Sequence, residues 1–175
     1  MNRIKEIQPT EMTPDQTRAF EELTAGRGRI LTPYKVWIHS PTVASGMEKI
    51  GTFLNKKSSL SSREVEMVIL IIARHWQADY VLQAHIREGK AIGLPDNVIT
   101  AIVEGRETKL PDAHERAVHD FARMLASATK PTDAEFAAFE RVLGRNGVAE
   151  VLVLIGYYTS VALAMKVHDV PIPQK

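Results

Sequence analysis

Along most of this chain apolar residues recur at three- and four-residue spacings, and helix-start signals precede the recurrences. Thr13-Pro14-Asp15-Gln16 supplies an N-cap, a proline at the first helical position and a glutamine at the third, ahead of Phe20 and Leu23 on one face. The glycines of AGRGR, residues 25 to 29, end that helix. The next segment, ILTPYKVWIHS, reads equally as a short helix or as a coil laid on the core through Leu31, Tyr34, Trp37 and Ile38. Ser40-Pro41 starts a further helix bearing Val43, Met47, Ile50 and Leu54, and NKKSS breaks it.

Ser61 and Glu64 form a capping-box pattern directly before EMVILIIA. The β-branched residues of that run also suit a strand, but the cap, the lack of strict alternation and the absence of partner strands favour a helix. Being apolar on most sides, it is expected at the centre of a bundle or at a subunit interface. ADYVLQAHIREGKAIGL continues as a second helix to about residue 92, with Gly93 as terminator. A short helix over 95–103 ends at Gly105, and Asp112 with Glu115 caps one bearing Val118, Phe121, Ala122 and Leu125. Thr132 with Glu135 caps another bearing Phe136, Phe139 and Leu143. Finally GVAEVLVLIGYYTSVALAM makes about five turns around Gly156, a glycine that suggests close helix contact. The pattern predicts an all-α, single compact helical domain over 1–175, with 1–12 a loose arm and 170–175 a tail. Its surplus of apolar helix faces suggests cover by another subunit.

Composition narrows the function classes. A chain of 175 residues, 45% apolar, can bury a real core. Its formal net charge of +1 gives no field that argues for nucleic acid or an anionic membrane. The N-terminal MNRIKEIQPTEM lacks a signal-type apolar core, and the longest apolar runs, near 67–73 and 151–155, are too short to span a bilayer. A soluble, cytoplasmic protein is expected. There is no cysteine, which removes disulfides, thiolate metal sites and thiol mechanisms.

Candidate chemistry lies in the central helix pair. If 62–74 and 78–92 form a hairpin turning at His75, Trp76 and Gln77, then Glu66 and His85 each lie about 14–15 Å along their axes from the turn. Antiparallel packing puts them at similar heights. A carboxylate beside an imidazole in a partly dry pocket suits proton transfer near neutral pH. The alternative is a satisfied polar pair in a helical interface, with Glu66 paired instead to Arg63 or Arg74. Either arginine could grip a small acid by a bidentate contact. Tyr34, Trp37, Tyr80, Tyr157 and Tyr158 could line an apolar pocket or simply be core. His39 and His75 read as loop or helix-end residues. His114, His119 and His168 form no compact metal motif, so no metal is expected.

The stretch LSSREVEMVILIIARHWQADYVLQAHIREGKAIGLPDNVITAIV, with IGYYTSVALAMKVHDVPIP after it, resembles the carboxymuconolactone decarboxylase family, which includes the alkyl hydroperoxidase D proteins. The resemblance covers about residues 30 to 172. It implies the helical fold of that type with an antiparallel central helix pair, and homo-oligomers, often trimers or hexamers. In the thiol-active branch a helix glutamate is followed by Cys-x-x-Cys and a histidine four residues later. That motif falls here on Glu66, Ala78, Val81 and His85, so its dithiol peroxidase chemistry has no nucleophile in this chain. The decarboxylase branch implies loss of carbon dioxide from a small carboxylated lactone without a cofactor. On that reading His85 transfers the proton, Glu66 positions it, Arg63 or Arg74 holds the acid, and Tyr80, Trp37 and Tyr34 surround the substrate. A non-redox ligand-binding or assembly protein derived from the same family is the competing reading.

Overall fold

The computed structural model describes residues 2–25 and 28–172, so Gly26, Arg27 and the end of the expected tail lie outside the described residues. Among the described residues a short 3-10 helix (Pro9–Glu11) precedes eight α-helices: α1 (Pro14–Thr24), α2 (Thr32–Trp37), α3 (Pro41–Lys56), α4 (Ser62–His75), α5 (Asp79–Ala91), α6 (Asp96–Glu104), α7 (Ala113–Ala126) and α8 (Asp133–Val167). The described residues contain no strand. The ambiguous segment after the first helix is helical, as α2.

The expected capping chemistry is present. Full capping boxes open α1 at Thr13, α4 at Ser61 and α8 at Thr132, and the Asp112 carboxylate accepts from two backbone amides at the start of α7. Gly93 and Gly105 adopt the left-handed conformation after α5 and α6.

α4 is the axis of the bundle. It packs against α5, α6, α7 and α8, and every residue from Met67 to Ala73 is buried. Burying each of its large aliphatic side chains stabilises the fold by about 1.5–3 kcal/mol relative to exposure. The α4–α5 hairpin turns through Trp76 and Gln77, and Gln77 carries the positive φ of 51° that reverses the chain. α8 holds this turn in place, since Lys166 Nζ donates to the Trp76 carbonyl at 2.8 Å and the Trp76 indole donates to Thr159.

The last two expected helices are both present: α8 comprises two helical stretches that meet at the non-helical backbone of Gly144, φ 66°. Two expectations are corrected. Gly156 is exposed with open space where a Cβ would lie, so it marks no close contact; that role falls to Gly51 on α3. The segment 2–12 is no loose arm. The Arg3 amide donates to the His168 carbonyl at 2.7 Å, the Lys5 carbonyl meets His39 Nε2 at 2.8 Å, and Glu6 pairs with Lys35 at 2.6 Å.

α8 also contains an 18-residue stretch apolar enough to cross a membrane by length and composition, which the short apolar runs did not suggest. Half of that stretch is buried inside the protein, as in the core helix of a bundle.

Candidate active site

Packing α5 antiparallel to α4 brings Glu66 and His85 together. The His85 imidazole Nδ1 lies 2.8 Å from Glu66 Oε2. An ionised carboxylate only accepts, so the Nδ1 hydrogen is donated to it and Nε2 is the ring's other polar atom. The two side chains retain only 19% and 13% of their exposure, so the pair is partly dry. The edge of a ring contact holds the imidazole from another side, with Tyr158 of α8 at 5.3 Å and nearly perpendicular.

His85 opens onto a cavity of about 770 Å³ between α2, α3, α5, α8 and the N-terminal arm. Val81 and Ala84 of α5 and Val161 of α8 give it an aliphatic wall, and Tyr34, Tyr80, Tyr157 and Tyr158 give it phenols. The arm closes one side through Ile7, Pro9 and Met12. A large, mostly apolar cavity with few polar groups converging on it is the usual form of a small-molecule site.

The phenols are arranged. Tyr34 and Tyr157 hydroxyls lie 3.0 Å apart, and the Tyr80 hydroxyl donates to Thr32 at 2.9 Å. They fit because position 51 has no side chain: a Cβ there would stand 2.5 Å from the Tyr157 hydroxyl oxygen. Burial, reinforced by Tyr157, pushes the Tyr34 phenol well above the ordinary range. Burial likewise raises Tyr158, with smaller contributions from Tyr157 and Glu66. Both remain neutral hydroxyls at physiological pH.

Of the residues singled out in the sequence, His85, Tyr34 and Tyr80 line this space, and Glu66 stands behind His85, outside the lining. Trp37 stands behind the wall, buried edge-on against Tyr34 and Tyr157. Arg63 and Arg74 are elsewhere. Arg63 forks onto Glu115 at 2.6 and 3.1 Å, and Arg74 donates to the Val103 carbonyl at 3.1 Å beside α6. Neither lines the cavity, and neither pairs with Glu66. The cations that do line it are Arg29 and Lys35, the latter neutralised by Glu6. Arg29 precedes the six-residue α2 and Lys35 lies in its last turn, where spacing gave no signal. Among the described residues no group of three or more His, Asp or Glu is placed to hold a metal.

Ala78 and Val81 are each 2% exposed, at the cap and in the first turn of α5, and Val81 faces the cavity. Hydrocarbon therefore occupies the ground between the histidine and the hairpin turn.

No protein-family model matches the sequence, and no curated protein matches it. Solved structures do resemble it. An uncharacterised peroxidase-related protein of Silicibacter sp. TM1040 superposes with a TM-score of 0.73 at 16% identity, over 95% of this chain and 87% of its own. The apo debrominase Bmp8 gives 0.73 at 13% identity, over 97% and 91%. An Agrobacterium tumefaciens protein of unknown function, described as a candidate antioxidant defence protein AhpD, gives 0.69 at 16% identity, over 79% and 96%. The chain has the fold of the AhpD-like, carboxymuconolactone decarboxylase-type proteins.

Proposed function

We propose that this protein is a cofactor-independent acid–base enzyme acting on a small carboxylated lactone or related organic acid, with His85 as the proton-transfer group. The observation that supports it most is that His85, held by Glu66 at 2.8 Å, opens onto a tyrosine-lined cavity in a chain without a thiol. Glu66 fixes the tautomer and balances the charge of an imidazolium, as a positioning residue does beside a general acid.

In the decarboxylation the bond from the ring carbon to the carboxylate breaks, and its electron pair enters the unsaturated lactone. Carbon dioxide leaves. His85 Nε2–H then delivers one proton to carbon and is recharged from solvent. Neutral phenols offer hydrogen bonds to the oxygen on which charge gathers. Arg29, in place of Arg63 or Arg74, is the cation for the acid group, with Lys35 able to exchange Glu6 for it. The reading extends to a soluble, cytoplasmic homo-oligomer, trimeric or hexameric, without nucleic-acid or membrane partners. Exposed Val43, Ile50 and Phe53 on α3 and Leu152, Val153 and Leu163 on α8 supply the surface such an assembly would cover.

The test is release of carbon dioxide from a panel of carboxymuconolactone-like acids without added metal or nucleotide. Turnover that disappears in His85→Ala, with helical content retained, supports the assignment. Inactivity across the panel overturns the lyase reading.

One observation favours a second reading, ligand binding without turnover. A cysteine-to-alanine variant of Bmp8, similar to this chain at a TM-score of 0.72 and 14% identity, was solved in complex with 2,3,4-tribromopyrrole. This fold thus holds a small heteroaromatic molecule in a form lacking that thiol. On this reading small planar acids bind in the cavity and leave unchanged.

A further inference from the structure

The arginines that the cavity does not use point to a second site. Arg74 at the end of α4, Arg106 after α6 and Arg123 on α7 together line a cleft of about 50 Å³ on the α6–α7 side of the bundle. Arg74 and Arg123 also line an adjoining, wider cleft of about 440 Å³. About 10–15 Å³ admits a single water, so the smaller space holds a few water-sized atoms, the bulk of one small oxyanion.

The charges around it do not balance. Arg106 is bonded to Glu104 at 2.5 Å. Asp120 lines only the wider cleft, accepts from His119 Nδ1 at 2.8 Å and pairs with neither Arg74 nor Arg123. Arg74 meets only a backbone carbonyl, through Nε, which leaves its two terminal amino groups as donors. The half-buried side chain of Arg123 has no ion pair or hydrogen bond among the described residues. Two guanidiniums thus share one small cleft with no carboxylate of their own.

The arrangement is also held in place. The Arg74 guanidinium lies directly over Gly105, where an added Cβ would come within 2.0 Å of it, and Gly105 has φ 72°. The left-handed glycine at the end of α6 therefore does two things: it turns the chain and it seats the arginine. A guanidinium fixed at Nε and presenting its outer edge is prepared for oxyanion oxygens, and convergence of several such groups suits a phosphoryl group better than a flat carboxylate.

We infer that the Arg74–Arg106–Arg123 cleft binds a phosphate-type oxyanion, free or carried on an organic ester, at a site separate from the tyrosine-lined cavity. It is independent of the reaction proposed for that cavity.

Isothermal titration of the full chain at low salt with inorganic phosphate, phenyl phosphate and acetate tests it. The expected result is saturable binding of phosphate or phenyl phosphate in preference to acetate, weakened at least tenfold in Arg123→Gln and by added sodium chloride. Arg29→Gln, in the other cavity, should bind phosphate as the parent does. The stronger of the two phosphate probes identifies the source, free ion or ester. Circular dichroism of Arg123→Gln separates a lost ligand contact from a lost fold, and Arg123→Lys should recover part of the affinity. The proposal is overturned if the parent shows no saturable phosphate heat, if Arg29→Gln, whose other cavity has lost its acid-binding cation, binds acetate as well as phosphate, or if folded Arg123→Gln binds phosphate unchanged. It is likewise overturned if light scattering shows an oligomer that Arg123→Glu dissociates while phosphate has no effect, since a second copy then occupies the arginines.

Discussion

Gly51 and Tyr157 occupy the same place: the Tyr157 hydroxyl oxygen sits 2.5 Å from where a side chain at position 51 would begin. The absence of an atom on α3 is thus what lets the phenol of α8 meet Tyr34 inside the cavity.

Gly51→Ala is therefore expected to displace a rigid phenol, because the Tyr34 hydroxyl also lies within 3.0 Å of the new atom. Overpacking of this kind costs about 1–3 kcal/mol, visible as a lower midpoint in thermal unfolding. Adding Tyr157→Phe removes the atom in conflict and should return part of the loss. A single variant as stable as the parent contradicts this account.

His85→Ala should lower turnover of any substrate found by about 10²–10⁴-fold, the range for removal of a general acid or base. Glu66→Gln keeps a hydrogen-bonding group but loses the charge and allows the wrong tautomer. Its loss should fall on kcat more than on KM. Equal loss in both would assign Glu66 to substrate binding instead.

The N-terminal arm should control exchange with the cavity. Deleting residues 2–12 removes Ile7 and Met12 from its wall together with the Glu6–Lys35 bridge. An exposed pair of that kind stabilises by no more than about 1 kcal/mol, so the folded core should survive. Ligand dissociation, followed by fluorescence of Trp37 beside Tyr34 and Tyr157, should become faster. Unchanged dissociation would mean that the arm is not part of the site.

Glu150 links stability to acid. It is 7% exposed, and burial alone would raise its pKa, but the Ser58 hydroxyl, the Ser59 amide and hydroxyl, and the Asn146 amide all donate to it and hold it below its ordinary 4.5. A carboxyl depressed in the folded state stabilises fully above its unfolded value, and that contribution is lost as pH falls through the folded one. The difference in unfolding free energy between the parent and Glu150→Gln should therefore favour the parent at neutral pH and shrink below about pH 4.5. A difference constant down to pH 3 would refute the assignment.

What the sequence disclosed and what it withheld divide by distance along the chain. Capping boxes at Thr13, Ser61 and Thr132 are written within four residues, and the structure has them. The Glu66–His85 encounter crosses 19 positions, but a hairpin of two regular helices reduces it to counting residues from a turn. Arg63 meets Glu115 across 52 positions and Glu150 meets Ser58 across 92, and no periodicity relates them. The arm was misjudged for the same reason: its partners, His39 and His168, lie far along the chain and bond chiefly through backbone atoms that any residue would supply. Gly156 and Gly51 could not be ranked from sequence, since helix propensity treats them alike while only Gly51 faces a neighbour.

The start of α5 carries a last implication. Ala78 and Val81 bracket the volume of a cysteine, at a helix N-terminus whose dipole acidifies thiols. Two substitutions would place a reactive pair beside an imidazole that already has its carboxylate. In this chain the carboxylate–imidazole contact is already in place, and hydrocarbon stands where that pair would sit.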